Sequence, residues 1–141
     1  MALTVTTRHV TTDAARRATE AALEHARTLG ISISVAVVDR GGAVLSLVRD
    51  NDAPFHTASI AEDKAATAAS FGAPTAAFGE ALHNMGPVVF HGILQRSRMA
   101  AFGGGLPIMH DDERVGGIGV SGGKAEQDEA CARAGLDALK A

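Results

Sequence analysis

At 141 residues, with 46% apolar and 21% charged residues and a formal net charge of −3, the chain is long enough for one domain with a real core and has the composition of a folded, soluble protein. Its 13 Lys and Arg are scattered among 16 Asp and Glu, so there is no basic face to neutralise phosphates, and neither nucleic acid nor a membrane surface is an expected partner. Met1 to Thr7 lack the charged and apolar regions of a signal peptide, and no apolar run reaches the roughly 18 residues of a spanning helix, which reads as a cytoplasmic protein.

The single cysteine, Cys131, has no internal disulfide partner and no second thiolate for a zinc site, and reads as a small core residue. Five Phe, no Trp and no Tyr stand in a chain rich in alanine and glycine. Small residues let elements approach closely but fill little volume, so a partner subunit or ligand is expected to complete the core. That points to a homo-oligomer.

From Thr12 the spacing of Ala15, Ala18, Ala22, Ala26 and Leu29 predicts a helix, with Thr12 or Asp13 as N-cap and Gly30 as terminator. Residues 31–38 switch to period two, with Ile31, Ile33, Val35 and Val37 on one face. Asp39-Arg40-Gly41-Gly42 turns the chain, and residues 43–49 return as the second strand of a hairpin. Residues 55–71 predict a second helix, stopped by Gly72-Ala73-Pro74. Thr75 is the expected N-cap of a shorter third helix reaching about His83, which Asn84-Met85-Gly86-Pro87 breaks. Periodicity does not decide residues 88–102, which read as irregular or briefly helical, with residues 99–102 as a candidate fifth strand. Residues 106–109 and 114–120 are strands around a polar turn, and residues 125–139 form a closing helix with Glu126, Asp128 and Glu129 at its positive end. The expected fold is one α+β domain over residues 1–141, built on an antiparallel sheet, with residues 1–11 as an N-terminal extension.

Three blocks carry a resemblance. Gly104-Gly105-Leu106-Pro107-Ile108, Val115 through Gly123, and Glu126-Gln127-Asp128-Glu129 with Ala132 closely resemble the GlcG/HbpS family. Ala61, Lys64-Ala65, Thr67-Ala68, Phe71 and Pro74-Thr75 resemble its A-x-x-K-A-x-T-A-x-x-F-x-x-P-T pattern, and Val35 to Gly42 resembles its first hairpin. The resemblance implies a profilin-like fold, a five-stranded antiparallel sheet flanked by helices on both sides, assembled into symmetric oligomers. Proteins similar to it include haem-binding and haem-degrading extracellular sensors and a domain fused to corrinoid adenosyltransferases. Fold transfers further than function. Residues 83–102 depart from the family, which more usually has a proline- and glycine-rich loop there.

The chemical candidates follow from both readings. Gly103-Gly104-Gly105 precedes a strand rather than a helix, which argues against a phosphate loop; Gly104 and Gly105 read as the floor for a flat ligand. Ser121 and Gly122 lead into the last helix, whose free N–H groups are a candidate site for a carboxylate. Lys64 shares a helical stripe with Ile60 and His56, and is expected either to meet an anionic ligand or to pair with an acid such as Asp128 or Glu62. His83 and His91 fall in the divergent region and are candidate haem-iron ligands, and Phe71 is a candidate ligand contact. Neither H-x-x-x-H nor H-E-x-x-H spacing supports a zinc enzyme, and no G-x-S-x-G elbow supports a serine hydrolase. The first expectation is therefore a small-molecule-binding protein holding haem or a related planar tetrapyrrole. The alternatives are a cofactor-independent enzyme acting by proton transfer on a small organic acid or ring compound, with Lys64 and either His56 or His91 as acid and base, and a scaffold with a vestigial pocket.

Overall fold

The structure, a computed structural model, describes residues 1–140. The order is α1 (Thr12–Thr28), β1 (Ser34–Asp39), β2 (Val44–Arg49), α2 (His56–Phe71), α3 (Thr75–Asn84), α4 (Pro87–Leu94), β3 (Gly105–His110), β4 (Glu113–Ser121) and α5 (Ala125–Asp137). The strands form one antiparallel sheet in the order β2-β1-β4-β3.

Alternation from Ile33 through β1 supplies two buried faces. Ile33, Val35 and Val37 join Ile118, Val120, Leu106 and Ile108 under the alanine stripe of α1 and the Cys131–Ala132 side of α5. Ala36 and Val38 face Ala61, Ala65 and Ala69 of α2 on the opposite side. Helices therefore cover both faces. On the α2 side the approach is close, because Gly117 packs against the Ala65 carbonyl and Gly119 against the Ala61 carbonyl, where any Cβ would collide with backbone.

Sequence expectation and structure differ in three places. The cap of α1 is Thr11, in extended conformation, with its hydroxyl accepting from the Ala14 N–H at 3.1 Å, rather than Thr12 or Asp13. Pro74, not Thr75, precedes α3, and the Thr75 hydroxyl instead accepts a hydrogen bond from the Gly105 N–H at 2.9 Å. The stretch read as irregular or briefly helical does hold a short helix, α4, eight residues from Pro87 to Leu94 and started by proline.

The sheet has four strands where five were expected. Residues 99–102 lie instead along the helices: the Ala100 N–H donates to the Thr67 hydroxyl at 3.0 Å, and the Ala101 carbonyl fits against Gly79 of α3. The outer edge of β3 also resists a neighbour. Val120 N–H bonds the Gly104 carbonyl, which sets Gly105↔Gly119 and Pro107↔Gly117 as pairs whose N atoms point away from β4. Thr75 takes the first of these donors, and Pro107 has none to offer.

Candidate functional site

The residues singled out from sequence separate into two groups. The first surrounds Lys64, whose side chain is only 1% exposed. Its Nζ donates to the Val120 carbonyl at 2.8 Å and to Asp128 Oδ2 at 3.2 Å, and lies 4.6 Å from the centre of the Phe102 ring. Asp128 Oδ1 in turn accepts from the Gly123 N–H at 2.8 Å. One buried ion pair thus ties α2, the end of β4 and the start of α5 together. Burial pushes the Lys64 ammonium below its ordinary pKa, against the pull of Asp128. Burial likewise raises the Asp128 carboxyl, against Lys64 and the N–H groups of Gly122 and Gly123. Desolvation outweighs attraction at both partners, as expected for a dry pair.

The glycines around this pair are filled by protein. A Cβ on Gly104 would lie 2.7 Å from Lys64 Nζ, and one on Gly105 would meet the Lys64 carbonyl and the Thr75 methyl. Gly122 packs against the Ser32 carbonyl, and Ser121 is buried opposite Ser34 in the sheet. The N–H groups before α5 are already used, Gly123 by Asp128 and Lys124 by the Gln127 side chain at 2.9 Å. This region has the geometry of a structural joint.

The second group lies at the far corner. His83, near the end of α3, and His91, in α4, are both exposed. Each ring meets Phe90 edge-on, with centroids 6.0 Å and 5.5 Å apart and interplanar angles of 88° and 87°. With Gly86 and Pro87 they line a cleft of about 240 Å³. Gly86, at φ 94°, lets the chain turn from α3 into α4. Phe71 stacks on Phe78 at 4.5 Å beside an apolar crevice of about 130 Å³ closed by Leu82, Met85, Val89 and Ile93. No residue of α4 is buried.

His56 belongs to neither group. It is exposed at the first residue of α2, stacked on Phe55 at 4.3 Å, whereas Lys64, two turns on, points into the core. The shared stripe does not bring them to one pocket. Two residues the sequence reading passed over are Phe90, the ring between both imidazoles, and Phe102, the ring under Lys64. An aromatic next to His91 and seven residues after His83, across a Gly-Pro break, was the available signal for the first.

Among the described residues no three His, Cys, Asp or Glu side chains gather where they could hold a bare metal ion. Two imidazoles with an apolar surround are a different donor set. They suit a macrocycle that brings its own equatorial ligands and needs only one or two from protein.

Residues 10–137 match the family model described as haem degrading protein HbpS-like. The chain is 34% identical over 98 residues to protein GlcG of Escherichia coli K12, covering 70% of each. A crystal structure of a double mutant of Streptomyces reticuli HbpS superposes with a TM-score of 0.89 at 34% identity, over 98% of this chain and 92% of that one. A crystal structure of a PduOC–haem complex superposes with a TM-score of 0.84 at 27% identity, over 92% and 94%. No described helix is long and apolar enough to cross a membrane. The chain belongs to the HbpS-like family.

Proposed function

We propose that this protein binds haem or a related planar tetrapyrrole at the α3–α4 corner, with His91 and His83 as the candidate iron ligands and Phe90 between them. The observation that carries this is the pairing of two exposed imidazoles on one aromatic ring in a cleft beside an uncovered apolar helix. Family membership and the haem complex of a relative support the choice of ligand. Bound there, haem would supply redox and ligand-binding chemistry, while the chain supplies axial nitrogen, an apolar surface and exclusion of water.

The cleft, at about 240 Å³, falls below the roughly 300–1,000 Å³ of pockets that enclose an organic ligand. It receives an edge of the macrocycle, and the rest needs a second wall. In this reading a second copy of the chain provides it, which also covers the apolar side of α4 and makes the protein a homo-oligomer. Lys64, Gly104, Gly105, Ser121 and Gly122 then act at a distance, by fixing the sheet and helices on which the corner stands, and Phe71 contributes apolar surface beside it.

The cofactor-independent enzyme reading has one observation in its favour, the lowered pKa of Lys64, which is what a general base needs. A side chain 1% exposed and already bonded to Val120 and Asp128 meets no substrate without local opening, so haem binding is the stronger reading.

Titration of the purified protein with haem, followed in the visible spectrum, tests the proposal. A saturable Soret shift in the wild type, lost when His83 and His91 are both changed to Ala, is the expected result. No shift near one equivalent, or an unchanged shift in the double variant, overturns it.

A further inference from the structure

A separate cavity lies between β3 and α5, with Pro74, at the start of α3, in its wall. It is a groove of about 570 Å³, inside the size range of organic-ligand pockets. Pro74, Leu106, Ile108, Met109, Leu136 and Leu139 give it apolar walls. Arg133, one turn before Leu136 on α5, and Lys140, just beyond the end of the helix, stand at its rim. Lys140 is held by Asp137 at 3.0 Å, but among the described residues Arg133 has no ion-pair partner. Among the described residues the acid lining the groove is Asp111, which is paired with Arg8 at 3.8 Å.

We propose that this groove is a second ligand site, which takes a small carboxylic acid with an apolar body, its carboxylate on Arg133 and its hydrocarbon along Leu136, Leu139 and Met109. Three features select that chemistry. A guanidinium without an ion partner among the described residues offers a fork of donors shaped for a carboxylate. Apolar walls favour a hydrocarbon body over a polar anion. The blunted outer edge of β3, with one outward N–H bonded to Thr75 and the next position a proline, argues against an added peptide strand as occupant.

The site is independent of the histidine corner, and its test separates the two. Octanoate is titrated calorimetrically into the wild type, with octanol as the probe lacking a carboxylate, and into Arg133→Gln. The expected result is saturable binding of one octanoate per chain, at least tenfold weaker for octanol and for Arg133→Gln, with the haem titration of Arg133→Gln unchanged. If Arg133→Gln does not fold, Met109→Glu, at a half-exposed position on the wall, replaces it, and like-charge repulsion weakens octanoate by a similar factor. Absence of saturable binding, equal affinity for octanol, or unaltered affinity in the variant that folds overturns the proposal. So does a weakened haem titration in Arg133→Gln, since the groove would then belong to haem.

Discussion

Helices α2 and α4 use alanine and large apolar residues in opposite ways. α2 is rich in alanine yet buries eight residues, Lys64 included, because its small side chains fit against Gly117 and Gly119 of β4. α4 reads Pro-Val-Val-Phe-His-Gly-Ile-Leu, is far more apolar, and buries none. The difference is one of partners. Small residues let α2 find a complete partner inside its own chain, whereas the bulk of α4 has only α3 to rest on. The closed side stores stability, and the open side holds the side chains free to meet something else.

The largest expected effect is on the closed side. Changing Lys64 to Met leaves the Asp128 carboxylate buried without its cation, which costs about 3–5 kcal/mol of unfolding free energy. Replacing both partners, Lys64→Met with Asp128→Leu, recovers most of that loss, because neither charge then has to be desolvated. Denaturant melts of the three proteins check it, and a double variant no better than the single would show that the pair is more than a joint. The pair also shapes the pH dependence. Asp128 is raised above 3.8, so the native state keeps a proton the unfolded chain releases, and stability falls as pH rises through that window. Lys64 is lowered below 10.5, so the unfolded chain binds more protons between its lowered value and 10.5, and stability rises with pH there. Both slopes disappear in the double variant.

Cys131 gives the next effect on the same side. Burial raises its thiol to about 11 from 9.0, with a smaller push from Asp128. Near pH 8 the thiolate fraction is therefore about 100-fold below that of the unfolded chain, and the native protein reacts with an aromatic disulfide reagent at least that much more slowly. Reaction rates with and without denaturant read this directly. Gly119→Ala follows, at about 1–3 kcal/mol, because the added methyl meets the Ala61 carbonyl and α2 must move away from β4. A melt within experimental error of the wild type would mean that α2 has slack the packing does not show.

The same contrast explains what was legible in the sequence. Period-two β1, the alanine stripe of α1 and the glycines around Pro74 and Gly122 encode local geometry, and each element stands close to where the pattern put it. The fifth strand was misplaced because residues 99–102 look like a strand locally, while their position is decided by the Thr67 hydroxyl and by Gly79, residues far away in the chain. Pairing of Lys64 with Asp128 was legible as one of two acids, and burial chose between them. A helix in residues 87–94 was only half legible, since periodicity speaks through a buried face and α4 has none. The separation of His56 from Lys64 could not be read from a stripe, because a stripe does not say where the covering layer ends.

The smallest effect on stability is expected where the sequence is most apolar. Val88 is 86% exposed, so Val88→Lys changes the unfolding free energy of the isolated chain by less than about 0.5 kcal/mol, measured at a dilution where no association occurs. Its effect on assembly is expected to be large. If a second copy covers α4, a lysine in its first turn has to be desolvated against an apolar surface, and sedimentation velocity shows the variant shifted to the monomer at concentrations where the wild type associates. The same variant then loses haem affinity without losing His83 or His91, because the second wall of the cleft is gone. Association equal to the wild type would remove the second copy from this face, and haem affinity equal to the wild type would leave the cleft complete within one chain.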